Sequence, residues 1–242
     1  MGKRYKNSPI MEVLCEFQFI PTQPWDITIP GLLYEKIKKQ FPIKKQQTGF
    51  DIGIQPKGGG IEQKVEMSQR MQFFRSDKSA LIQISPDLLI INHLKPYPAW
   101  EIFKPLILQN LKIYQEIAKP KAFKRIRLRY INKIEFDKGP IELTDYFNYY
   151  PFIPTKLPQT HGAFNVSIEI PYEYERDRLH LTLASTISEK PEVLSLLLNF
   201  DLIKSPIGLK KHIPLLKTPL KHVLPINVEA FLRRINNATN IN

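Results

Sequence analysis

The sequence predicts an α+β protein, a mainly antiparallel sheet with helices on one side. Three observations carry that reading. Apolar and polar residues alternate along several short runs, the period of a strand with one wet face. Two other segments repeat apolar residues at helical spacing. Proline and glycine punctuate the boundaries between them.

The first strand is read from Pro9 to Ile20. Met11, Val13, Cys15, Phe17 and Phe19 make its apolar face, with Glu12, Glu16 and Gln18 opposite. A helix follows over about Pro30 to Phe41, with Pro30 in its first turn and Pro42 as a stop. Strands are expected near 61–67, 69–75, 79–85 and 87–93, after a glycine tip at Gly58 to Gly60. A second helix over Pro98 to Ala118 carries the stripe Trp100, Phe103, Ile107, Leu111, Tyr114 and Ile117, with Pro105 expected to kink or delay it. The strand Arg125 to Phe136, "RIRLRYINKIEF", closes the first half. The order β-α-(β hairpins)-α-β resembles a ferredoxin-like split β-α-β unit with an added hairpin.

The second half is expected to open with a short amphipathic helix at Ile141 to Tyr150. Strands follow at Ala163 to Ile170, around Leu179 to Leu183 and at Val193 to Ile203. Asn227 is placed to cap a last helix ending near Asn237. This half roughly repeats a helix–sheet–helix plan, which suggests a duplicated helix–sheet unit. Residues 1–138 form a basic half and 139–242 a second α+β half. With no low-complexity linker between them, they are expected to share one extended sheet.

The 242 residues are 43% hydrophobic and 11% aromatic, which suits a packed core and not a disordered chain. The single Cys15 excludes an internal disulfide and fits a reducing cytoplasm. The longest apolar run, Val193 to Ile203, is too short to span a bilayer, so no membrane association is expected.

Net charge is +12, and it is uneven. Residues 1–139 hold 24 Lys+Arg against 13 Asp+Glu, while residues 140–242 hold 11 against 10. A basic half attracts nucleic acid or another polyanion. A lysine-rich, AT-favoured composition gives the same excess without any binding role.

The familiar signatures of catalysis are missing. His93, His161, His180, His212 and His222 do not take zincin spacing, and there is no CxxC, so no metal and no cofactor is expected. No GxSxG or SxxK occurs, and Cys15 lies on an apolar strand face. Lys57 to Gly60, "KGGG", lacks the strand–helix context of a phosphate loop.

Anion binding remains. Between Lys104 and Lys133 stand nine Lys+Arg and one acid, Glu116. Arg125, Arg127 and Arg129 share one strand face about 6.6–7 Å apart, close to the phosphate repeat of an extended single strand. Lys133 extends the row. A second basic run, Lys204 to His222, contains Lys210, Lys211 and Lys217 and no acid. No aromatic stacking platform accompanies them. The competing expectation is that the arginines lie under a helix or pair with Glu12, Glu16 and Glu135. Asn132, polar on the apolar side of the same strand, must be hydrogen-bonded if buried.

Four stretches carry a family likeness in fixed order: "YKNSPIMEVLCEFQF" at 5–19, "YPAW" at 97–100, "LRYINKIEF" at 128–136 and "DYFNYYPFIP" at 145–154. They resemble a sporadically distributed, uncharacterised bacterial protein family with PPIxE, YPxW and RYINxI motifs. That family tends to an acidic "LDID"-like strand in its last third. Here "LLLNFDLI" keeps Asp201 and has Asn199 in place of the first acid. The resemblance implies an accessory or defence locus, and no reaction or cofactor.

The expected function is therefore a non-enzymatic, cytoplasmic nucleic-acid- or polyanion-binding protein, acting through Arg125, Arg127, Arg129 and Lys133, with Lys210, Lys211 and Lys217 as a second patch. One alternative is an adaptor for a protein partner encoded nearby, which requires an exposed apolar patch. Another is a metal-independent RNA-processing nuclease with His161, His180 or His212 as general base.

Overall fold

Alternate residues of the first strand decide where the core sits. Val13, Cys15, Phe17 and Phe19 are buried on one face of β1 (Ile10–Ile20). In this computed structural model, which describes residues 8–57, 60–136, 141–159, 162–172, 177–190 and 193–204, β1 lies near the middle of a single sheet. Its two neighbours are β5 (Leu88–Leu94) and β6 (Ala122–Phe136), both antiparallel.

The full order is β2-β3-β4-β5-β1-β6-β9-β8-β7. The remaining strands are β2 (Ile43–Lys57), β3 (Gly60–Phe74), β4 (Ala80–Ser85), β7 (Asn165–Tyr172), β8 (Asp177–Thr186) and β9 (Leu194–Lys204). Every pairing is antiparallel. Among the described residues the protein is thus α+β with an antiparallel nine-stranded sheet. β6 and β9 pair from Ile126–Lys204 to Phe136–Leu194, so the two halves of the chain share that sheet.

Both described α-helices lie on the face that holds Phe17 and Phe19. In α1 (Ile29–Ile37), Ile29, Leu33 and Ile37 turn inward, and the Tyr34 ring stacks on Phe73 at 5.7 Å. Asp26 organises the turn before it, accepting from the Thr28 N–H at 2.8 Å and its hydroxyl at 2.7 Å. In α2 (Trp100–Ala118), Phe103, Leu106, Ile107, Leu111 and Tyr114 are buried, and Tyr114 stacks on Phe19 at 5.0 Å. Five such side chains contribute on the order of 10 kcal/mol of burial. The helix runs through Pro105 without a break. The N–H that proline lacks would have met the carbonyl of Glu101, an exposed residue in the first turn of the helix. Lys119 ends the helix in a left-handed conformation, φ 43°, and Pro120 follows.

Two expectations need correction, and a third falls outside the described residues. The helix expected at Ile141 to Tyr150 is one 3-10 turn, Leu143–Asp145, because Thr, Asp, Asn and Tyr are poor helix formers and Pro151 follows at once. The segment still serves the core: Phe147 is buried, and the Tyr146 and Phe147 rings meet Phe136 at 4.8 and 6.3 Å. Residues 61–67 and 69–75 are one strand, β3, since Ser68 alone is no turn. β2, which carries no clear alternation, is the unexpected strand paired along it. The last expected helix and the basic run after Lys204 lie outside the described residues.

Near the ends of β6 the register slips twice. Gln18 pairs with Arg125 and Phe19 with Phe123, so Lys124 is an extra residue. That bulge lets Phe123 and Ile126, three apart, both face the core. At the other end Ile10 pairs with Asn132 and Glu12 with Ile131. Asn132 sits beside that slip, buried, and donates Nδ2 to the Leu198 carbonyl at 3.0 Å.

Candidate nucleic-acid interface

Opposite the helices, the other sheet face carries no helix among the described residues. The register lays its side chains in rows across five strands. One row runs Leu14, Arg129, Asp201, His180, Glu169, and the next runs Glu16, Arg127, Ile203, Arg178, Pro171. All four cations expected on β6 therefore stand on this face and see solvent, with no described helix above them.

Each is also engaged. Arg125 donates Nη2 to Glu16 Oε1 at 2.8 Å. Arg127 holds Asp201 with both arms of its guanidinium, Nε to Oδ1 at 2.6 Å and Nη2 to Oδ2, and reaches Glu16 at 3.9 Å. Asp201 raises the Arg127 pKa chiefly through these hydrogen bonds. Arg129 donates Nε to the neutral Asn199 Oδ1 at 2.8 Å. Lys133 pairs with Glu135 at 3.0 Å, which lowers the Glu135 pKa. Glu16, Asp201 and Glu135 thus take three of the four cations, and Glu12, which accepts from Asn92, brings the formal charge of these eight side chains to zero. Asp201 is buried because it is short and its neighbours are long. The alternation Leu198, Asn199, Phe200, Asp201 already put Asn199 and Asp201 on one face.

Toward β2 the same face turns amide-rich. Gln72 Nε2 donates to Gln47 at 2.6 Å and to Gln83 at 2.9 Å, Gln83 donates to Asn92 at 3.0 Å, and Asn92 donates to Glu12. Toward β7, His180 Nε2 lies 2.8 Å from Glu169 Oε2 and Arg178 bonds the other oxygen at 2.9 Å. His180 is the one proposed general base within the described residues. His161, His212, Lys210, Lys211 and Lys217 lie outside them.

The uncompensated charge is elsewhere, where α1 meets the root of the β2–β3 ribbon. Residues 35–45 and 69–75 contain Lys36, Lys38, Lys39, Lys44, Lys45, Arg70 and Arg75 against Glu35 alone, a surplus of six. The five lysines are exposed, and of them Lys38 pairs with Glu35. Lys44 Nζ sits 4.4 Å over the Tyr34 ring, and Arg75 caps Phe41 at 5.6 Å. Tyr34 also donates to the Pro42 carbonyl at 3.1 Å, which ties the end of α1 to the ribbon. The alternation that marks strands does not mark this patch. Its signal in the sequence is the density of charge, five lysines in the ten residues 36–45.

Among the described residues no group of three or more His, Cys, Asp or Glu is placed to hold a metal ion. No described helix is long and apolar enough to cross a membrane. No family model matches the chain, and no curated protein matches it.

Proposed function

We propose that the protein binds nucleic acid or another polyanion without transforming it, with the lysine-rich root of the β2–β3 ribbon as the principal contact. The surplus of six charges there carries the reading. Exposed lysines without carboxylate partners release counterions when phosphates replace them, which is the main source of sequence-independent affinity. The β6 row is the lesser contact. Arg125, Arg127 and Lys133 already satisfy carboxylates, so Arg129, whose partner is a neutral amide, is its most available cation. A buried Cys15 thiol fits a reducing, cytoplasmic setting. We also read β4-β5-β1-β6, with α1 and α2, as the ferredoxin-like unit and β2–β3 as its added hairpin.

The test is a salt titration of fluorescent single-stranded and double-stranded DNA and RNA. Binding that weakens linearly on a log–log salt plot supports the proposal. No binding of any of them at low salt overturns it.

The adaptor reading keeps one specific support: Phe152 is 78% and Leu157 55% exposed, next to exposed Tyr146 and Tyr150. Large apolar side chains gathered on one segment mark a protein contact. Pull-down from cells with Phe152→Ser as control separates the two readings.

A further inference from the structure

The β2–β3 ribbon is longer than the sheet that roots it. β3 pairs with β4 only from Met71 to Phe74, yet it pairs with β2 all the way to Lys57 and Gly60. The pairs from Gln47–Arg70 to Lys57–Gly60 therefore extend beyond β4 as a two-stranded arm, and neither edge of it has a strand neighbour among the described residues. Eleven pairs at about 3.4 Å give an arm of ~37 Å. A free two-stranded ribbon is marginal in water and gains from a surface to lie on.

We infer that this arm enters the major groove of B-form DNA while the lysines at its root hold the flanking phosphates. The inference rests on the polyanion reading above and names its ligand. The major groove of B-DNA, ~12 Å wide, admits a two-stranded ribbon, whereas that of A-form RNA is too narrow and deep. The arm's length matches about one helical turn of the duplex, ~34–36 Å. The cations stand where the arm leaves the sheet: Lys44 and Lys45 on β2, Arg70 on β3, and Lys36 and Lys39 by the end of α1. A contact of this kind places charge on the backbone and ribbon in the groove.

Two measurements test it. The first is fluorescence anisotropy with 20-base-pair duplex DNA, the matching duplex RNA and single-stranded DNA. It compares the intact chain with a variant in which residues 49–68 are replaced by Asn-Gly. We expect the intact chain to prefer duplex DNA over duplex RNA at least tenfold, and the shortened arm to remove that preference while single-stranded DNA still binds through the root. Equal duplex DNA binding by both chains overturns the inference and leaves the polyanion reading intact. Failure of the intact chain to bind any of the three at low salt overturns the polyanion reading itself.

The second needs no variant. Methylation of guanine N7 by dimethyl sulfate reports major-groove occupancy, and the intact chain should protect N7 over about one turn. Bound DNA with unprotected N7, or a doubled mass in sedimentation with the arm as the dimer contact, overturns the inference.

Discussion

Arg127 and Asp201, 74 positions apart in sequence, form a two-armed ion pair across β6 and β9. The carboxylate is 6% exposed and the guanidinium 26%, so neither charge keeps its full hydration. Removing one partner strands the other. Asp201→Ala or Arg127→Met should each destabilise the fold by about 2–3 kcal/mol, below the full range for a buried pair because Arg127 is partly wet. The double variant should recover part of that loss. Denaturant melts in a double-mutant cycle read the coupling, and strictly additive losses would deny the pair its role.

For binding, Lys36→Glu with Lys39→Glu and Lys45→Glu should weaken nucleic acid affinity at least tenfold at low salt. Neutral replacements should flatten the salt slope by about 0.9 for each phosphate that is no longer neutralised. Arg129→Ala should change affinity about twofold, since the surrounding β6 row is neutral. A larger effect from Arg129→Ala than from the triple variant would move the interface to the sheet face.

Cys15 is fully buried, and burial, then the nearby Glu16 charge, pushes its thiol far above the ordinary range. The thiolate is the reactive form. Ellman's reagent at pH 8 should leave the native protein unmodified and titrate one thiol per chain after unfolding. Labelling of the native state would place Cys15 outside the core.

His93 gives the fold a pH dependence. It packs edge-on against the Tyr97 and Phe103 rings, each 6.3 Å away, and its Nδ1 donates to the Leu94 carbonyl at 2.9 Å. Burial lowers its pKa below the ordinary value near 6.5. The unfolded chain then binds the proton more readily than the native one. The contribution is present above about pH 6.5 and is lost as pH falls through the lowered folded value. His93→Gln should flatten that acid limb in melts between pH 7 and 5, and an unchanged limb would assign it to other groups.

Periodicity makes β1, α1, α2 and the inner part of β6 legible, because each buries one face and its side chains must alternate or repeat. β2 is not legible in this way. It runs at the sheet's edge, its residues 43–48 are exposed on both faces, and no apolar pattern is required of it. The same fact hides the lysine patch. The arginine row is plain in the alternation, yet the sequence does not say which carboxylates meet it. Arg125 pairs with a residue 109 positions away, and that depends on register, which only the assembled sheet defines.

That separation bears on how the chain is made. β1 is synthesised before both of its sheet neighbours, with the apolar side chains of Phe17 and Phe19 on one face and both edges unpaired. One neighbour, β5, begins at Leu88, and the other, β6, begins at Ala122. At ~5–20 residues per second, β1 waits on the order of 5–20 s for its second edge. The nascent chain must therefore protect its central strand before it can use it, and faster synthesis or a bound chaperone should raise the soluble yield more than any single stabilising substitution on the surface.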